Sequence, residues 1–408
     1  MYHPRPRFHA DLLPMTRPSS KSLQFDTRLL HAAAPKPRIE GSVVTPIFQS
    51  AMGTQSAQGR QPGQRYHEAI RYLRLHNSPN HLELQGRLAS LAAAEASLVC
   101  ASGMAAISGT LLTILAPGDH LLVVDQLYGG THGWIHSELK RLDIACTTID
   151  GMDPASWEAA RRPQTRAIYL ETMTNPLLRL PDLPAAVAFA RRHDLISLTD
   201  NTLASPVLCR PIELGFDLSL HSATKYLNGH SDVLAGAVLG REDLVRRIGQ
   251  TLTLLGSSLD PNSCFLLTRG LKTLSLRMER QCQNAQVLAE FLQGHPAVAH
   301  VNYPGLEGHP GREAAAAWLA GWGGLLSFEM AAGEGAAREV LERVQLPACA
   351  PSLGGVECLI TLPVDTSHAL LSPDERASVG MGPGLVRVAV GIEDPADLIA
   401  DFDQALRG

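Results

Sequence analysis

Short apolar runs alternate with longer stretches of helical period through the middle of the chain, and this alternation is the first structural signal in the sequence. Leu82 to Ala94 sets Leu and Ala at helical spacing, Ser97 to Cys100 reads as a short strand, and Met104 to Leu115 reads as a second helix. His120 to Asp125, Ile144 to Thr148, Arg166 to Glu171, Leu195 to Asp200 and Leu218 to Ser222 are further strand candidates, separated by helical stretches. Strands that alternate with helices predict right-handed crossovers and a mostly parallel sheet buried on both faces. This is an α/β unit over residues 65–268. A polar-faced helix from Thr273 to Gln293 follows, then strand candidates Gly324 to Met330, Cys358 to Leu362 and Val386 to Val390, and a final helix from Pro395 to Leu406. These predict a smaller α+β unit over residues 269–408. Residues 1–64 are rich in Pro, Gly, Ser and Gln, with short apolar pieces such as Ser42 to Phe48, and predict an extended arm that lies on another surface. No internal repeat is present.

Composition narrows the function classes. The 408 residues are 45% hydrophobic and 18% charged, which suits a globular protein with ample core. The 35 Lys and Arg against 40 Asp and Glu leave a net charge of −5, so no long-range attraction draws nucleic acid or an anionic membrane. No apolar run approaches the roughly 18 residues needed to span a bilayer. Residues 1–21 carry Arg5, Arg7, Arg17 and Lys21 against Asp11, as an import leader would, but Pro4, Pro6, Pro14 and Pro18 break the amphipathic helix that a leader needs. A flexible tail and a cytoplasmic address are expected. The 7 cysteines form an odd set without a C-x-x-C pair, which predicts reduced thiols and neither a disulfide framework nor a metal site. Lysine occurs only at Lys21, Lys36, Lys140, Lys225 and Lys272. Where arginine supplies nearly all positive charge, each lysine raises the question of what a free amine does there.

Ligands of open parallel sheets bind beyond the carboxyl ends of the strands. After Ser97 to Cys100 comes Ala101-Ser102-Gly103-Met104, a small-residue turn whose helix N-terminus suits a phosphate or serves as an ordinary turn. After Leu195 to Leu198 comes Thr199-Asp200-Asn201-Thr202, where Asp200 could hold a cationic ring nitrogen or cap a turn. After Leu218 to Leu220 comes His221-Ser222-Ala223-Thr224-Lys225-Tyr226, two hydroxyls beside a potential imine-forming amine. Other patterns carry less. His132 and His136 stand four apart without the acid of a metalloprotease motif, and Gly380, Gly382 and Gly384 lack the strand and helix of a dinucleotide fingerprint.

Together these residues closely resemble the pyridoxal-phosphate (PLP) enzymes of Cys/Met metabolism, the transsulfuration family. Ser222 to Gly236 is similar to its lysine segment. In chain order, Tyr72-Leu73-Arg74, Ser102-Gly103-Met104, Tyr128-Gly129-Gly130-Thr131, Glu171 to Pro176, Asp200-Asn201-Thr202, Ser352-Leu353-Gly354-Gly355 and Arg387 with Gly391 to Asp394 match further motifs. The matches run from about Ile39 to the C-terminus.

The resemblance implies a fold type I, aminotransferase-like large domain, PLP as cofactor, and an amino acid as small-molecule substrate. It implies Lys225 as the covalent anchor and proton carrier, Asp200 as partner of the pyridine nitrogen, and Tyr128 as the ring-stacking residue that assists the leaving group. Ser102, Gly103, Met104, Ser222 and Thr224 would hold the phosphate. Tyr72 and Arg74 would reach the phosphate of a neighbouring subunit, implying a homotetramer with sites shared across each dimer. Arg387 would clamp the substrate carboxylate, with Asn175 and Ser352 beside it. Pro351 stands where members acting on cystathionine often carry Glu, Ala389 where Ser is common, and Met173 replaces a Pro. The expected activity is cleavage of a C–S bond by γ-elimination, as in cystathionine γ-lyase. The alternative is γ-replacement, as in cystathionine γ-synthase or a homoserine-ester sulfhydrylase, ahead of a β-lyase or a non-catalytic PLP scaffold.

Overall fold

The computed structural model describes residues 23–60, 69–369 and 372–408. The tail expected over residues 1–21 lies outside them. The first sheet has the order β1-β7-β6-β5-β4-β2-β3: β1 (Ala96–Cys100), β2 (His120–Val124), β3 (Ala145–Ile149), β4 (Thr165–Glu171), β5 (Ile196–Asp200), β6 (Leu218–Ser222) and β7 (Gly236–Gly240). Strands β2 to β6 are parallel, and β7 runs antiparallel between β1 and β6. Fully buried strands such as β2 read as continuous apolar runs because both sheet faces are covered. The expected strands fall within a residue or so of their observed bounds. Strand β7, GAVLG, was not expected, because glycines at both ends leave only three apolar residues to signal it.

The second sheet has the order β10-β11-β12-β9-β8, from β8 (Val298–Asn302), β9 (Leu325–Met330), β10 (Ala348–Cys349), β11 (Leu359–Thr361) and β12 (Leu385–Ala389). The final helix, Pro395–Arg407, opens on an Asp394 side chain that accepts from Ala396 N–H, and buries Phe402 edge-on against Phe328 of β9. In the expected arm, the helix Phe25–His31 buries Leu29. There Arg87 Nη1 donates to the Leu29 carbonyl and Arg28 Nη1 to that of Ser90. Further on, Val43, Val44, Ile47 and Met52 are exposed.

The helix Leu274–Gln293 joins the two regions, and one ridge of its polar residues is turned inward while Glu279, Arg280, Gln283 and Glu290 are exposed. Arg277, Gln281 and Asn284 share one helix face at spacings of four and three, and all are buried. Arg277 donates to the carbonyls of Tyr226 (2.8 Å) and Gly270 (2.9 Å). Gln281 donates to that of Gly355 (2.7 Å), and Asn284 to those of Gly391 and Glu393. Burial without an acidic partner lowers the Arg277 guanidinium to a pKa of about 10.

Replacing a donor that satisfies buried carbonyls leaves those carbonyls with the full cost of desolvation. Arg277→Met is therefore expected to lower the unfolding free energy by about 3 kcal/mol, read by urea titration of the cofactor-free protein. An unchanged midpoint and slope would show that the ridge carries no stability.

Candidate active site

The site is built where β4, β5 and β6 end. Strand β1 leads through Ala101 into the helix Gly103–Ile114, where Ser102 caps the first turn by accepting from Ala105 N–H at 3.0 Å. The first N–H groups of that helix have no intrahelical partner. A side chain at position 103 would press on Ser222, with Cβ atoms 2.8 Å apart, and one at 236 would run into the Ser102 carbonyl. The two glycines thus let the helix N-terminus meet the Ser222 segment. Ser222 N–H donates to Thr202 Oγ1 at 2.8 Å, and Thr224 Oγ1 is engaged with the backbone of Ala235.

Lys225 lies beyond β6. Its amine donates to Ser352 Oγ at 2.6 Å, while Arg387 on β12 donates through Nη2 to the Ser352 carbonyl at 2.8 Å. Arg387 also reaches Asn175 Oδ1 through Nη1 at 3.5 Å. Ser352 has a φ of 99°, a region a side-chain-bearing residue enters only where its surroundings impose it. Burial, and secondarily the Arg387 charge, lowers the Lys225 amine to a pKa of about 8. Arg387 is lowered to about 10 by burial, and its buried Nε has no partner.

Asp200 ends β5, and Glu171 ends β4 directly beside it in register. Asp200 Oδ1 accepts from Thr202 N–H at 2.9 Å, and Glu171 Oε1 accepts from Tyr128 N–H at 2.6 Å. Burial raises both carboxyl groups, Glu171 well above its usual range with Asp200 as second cause. Tyr128 is 44% exposed at the mouth of the site, heading the helix Gly129–Trp134.

The structure therefore brings Lys225, Ser352, Arg387 and Asn175 into one contact network, and Ser102, Gly103, Ser222 and Thr202 into another. Tyr72 and Arg74 stand apart: the Arg74 guanidinium lies 5.4 Å over the Tyr72 ring and donates to the Thr253 carbonyl at 3.2 Å. Glu171 is a site residue that the sequence reading placed only within a motif. Its signal is a second acid at a strand end, in line with Asp200.

A mostly parallel sheet with a lysine beyond one strand end and an acid at another, closed by a smaller second sheet, defines a fold type I PLP-dependent enzyme. The family described as Cys/Met metabolism PLP-dependent enzyme matches residues 26–407, and the chain belongs to that family. It is 41% identical to the L-methionine gamma-lyase of Pseudomonas putida, covering 95% of this chain and 98% of that one. It is 38% identical to the cystathionine beta-lyase of Coxiella burnetii, over 96% of this chain and 100% of that one. The crystal structure of cystathionine gamma-lyase from Lactobacillus plantarum complexed with L-serine is 36% identical, with a TM-score of 0.88 over 94% of this chain and 99% of that one.

The residues present fit PLP. Asp200 is buried with neutral donors and, among the described residues, no cation acts on it, so a protonated ring nitrogen would complete it. Opposite, the Gly103 helix start and Ser222 leave a close-packed corner of donors suited to a phosphate.

A lysine at a pKa of about 8 becomes a free amine as pH rises through 8, well before an ordinary lysine does. The rate at which cofactor-free protein captures PLP is expected to rise with a midpoint near that pH. Arg387→Leu removes the neighbouring cation and should move the midpoint upward. A midpoint that stays put in the variant would remove Arg387 as a cause.

Proposed function

We propose that the protein cleaves the Cγ–S bond of a sulfur amino acid by γ-elimination, releasing a thiol, ammonia and a 2-oxo acid. The observation that carries this reading is the chain of contacts from the Lys225 amine through Ser352 to Arg387. It sets a proton-carrying amine beside a guanidinium suited to an amino acid's carboxylate.

Bound PLP supplies an electron sink for charge developing at the substrate's Cα and Cβ. Lys225 would anchor it, and its amine would carry protons at those two carbons. Asp200 would keep a proton on the ring nitrogen, and Tyr128 would lie against the ring and give a proton to the departing sulfur. Arg387 and Asn175 bind the substrate carboxylate, and Ser352 orients the lysine amine. The N–H groups of Gly103 and Met104, with Ser102, Ser222 and Thr224, hold the phosphate. Pro351 offers no charge to a second amino group, which favours a simple thioether such as methionine over cystathionine.

Tyr72 and Arg74 complete the phosphate site of a second copy, in a homotetramer of two dimers, and the exposed apolar arm over Val43 to Met52 suits burial in that assembly. No helix among the described residues is long and apolar enough to cross a membrane. Seven free thiols agree with a cytoplasmic setting.

With L-methionine or L-cystathionine the product is expected to be 2-oxobutanoate. Pyruvate from L-cystathionine would assign β-elimination instead. A thioether formed only when an acylated homoserine and cysteine are both supplied would assign γ-replacement. Lys225→Ala should lose the visible absorption of the bound cofactor and lower turnover about a thousandfold or more.

Shared sites predict complementation. When subunits carrying Arg74→Ala and Lys225→Ala are unfolded together and reassembled, mixed dimers regain one intact site, restoring about a quarter of wild-type activity. No recovery above the two parents would place each site within one chain.

A further inference from the structure

The reading above leaves a second buried acid beside Asp200 unexplained. Strands β4 and β5 are parallel and paired from Ala167↔Ile196 to Glu171↔Asp200, so both carboxyl groups leave strand ends on the same face, about 5 Å apart in backbone terms. Both residues are buried, Glu171 at 4% and Asp200 at 9% exposure. Two like charges at that spacing, shielded from water, do not both ionise.

Their partners decide which one keeps the proton. Asp200 receives the Thr202 N–H and the Thr202 hydroxyl, two donors that favour its ionised form. Glu171 receives one, the Tyr128 N–H. The titratable groups that act on Glu171 are Asp200 on β5 and Tyr169 two residues earlier on β4, while Tyr128 beyond β2 meets it through its backbone N–H. No cation acts on it among the described residues. The Tyr169 hydroxyl is buried beside that of Thr131, and burial together with the charges of Asp200 and Glu171 raises it well above its usual range, so this face brings Glu171 no positive charge.

We propose that Glu171 is a positioning residue that stays protonated, fixing the Tyr128 backbone through Oε1 while leaving Asp200 as the one charged carboxylate of the pair. This rests on the PLP reading of Lys225 and Asp200. Its consequence for function is twofold. Tyr128 heads the helix Gly129–Trp134, and the short bond from its N–H to Glu171 sets where its ring stands over the site. The proton on Glu171 also confines the negative charge to the side chain aimed at the ring nitrogen, because a second charge there would compete for the same proton.

The first test needs no cofactor. Infrared difference spectra of cofactor-free protein, Glu171→Gln against wild type, are expected to show loss of one buried protonated-carboxyl band at neutral pH. Loss of a carboxylate band instead would overturn the proposal. The second test uses the PLP-loaded enzyme. Glu171→Ala should lower kcat about tenfold or more through a misplaced Tyr128, and Glu171→Gln, which keeps an acceptor for the N–H without a charge, should restore most of that loss. In Glu171→Gln the pH midpoint of the visible band should stay within about half a unit of wild type, whereas removing a real charge would move it by about one unit or more. A Gln variant as damaged as the Ala variant, or a moved midpoint, would overturn the proposal. Lys225→Ala serves as the control: if it kept its visible band, the PLP reading itself would fall, and with it the basis of the inference.

Discussion

The helix Leu274–Gln293 must sit at one rotation, because its buried ridge of Arg277, Gln281 and Asn284 donates to main-chain carbonyls of three other segments. Those carbonyls belong to Tyr226, next to the anchoring lysine, to Gly355, in the segment that carries Ser352, and to Gly391, just beyond the strand of Arg387. A rotation of one residue would turn all three donors away. The ridge therefore fixes, on a rigid rod, the relative positions of three segments far apart in sequence. The Lys225–Ser352–Arg387 network has its short distances because its backbone supports are held from behind.

The electrostatics of the cleft follow from that assembly. Lys225, Arg387, Asp200 and Glu171 are all withdrawn from water, and each is shifted by burial toward its uncharged form. Unpaired charge in such a place is costly to the free protein and valuable to a ligand that brings the opposite charge. A cofactor nitrogen, a phosphate and an amino acid carboxylate together would supply the compensation. The φ of Ser352 belongs to the same economy of strain, being held by bonds on both its hydroxyl and its carbonyl.

Much of this was legible in the sequence, for physical reasons. Strands β1, β2, β4, β5 and β6 are buried almost throughout, so they appear as short apolar runs, and the residues after them mark the ligand end of the sheet. Lys225 stood out because lysine is rare in this chain, and Asp200 because it ends a strand. Strand β7 was hidden by its glycines, and β8 (Val298–Asn302) by two exposed positions among its five residues. The inward polar ridge was visible only as a polar helix face, since spacing alone does not tell a solvated face from one that binds carbonyls. Glu171 was visible as an acid that ends a strand, but its closeness to Asp200 depends on the in-register pairing of β4 with β5, which no local pattern encodes. Tyr72 and Arg74 carry a motif without, in a single chain, the neighbours that would explain it.

The central claim is that one amine among five lysines has been half-buried and positioned to hold the cofactor. Borohydride reduction of the PLP-loaded enzyme, followed by peptide mass mapping, fixes the cofactor to whichever amine carries it. The account predicts a single modified peptide bearing the label at Lys225, with Lys21, Lys36, Lys140 and Lys272 untouched. A label on any other lysine, or none after reduction, would contradict it.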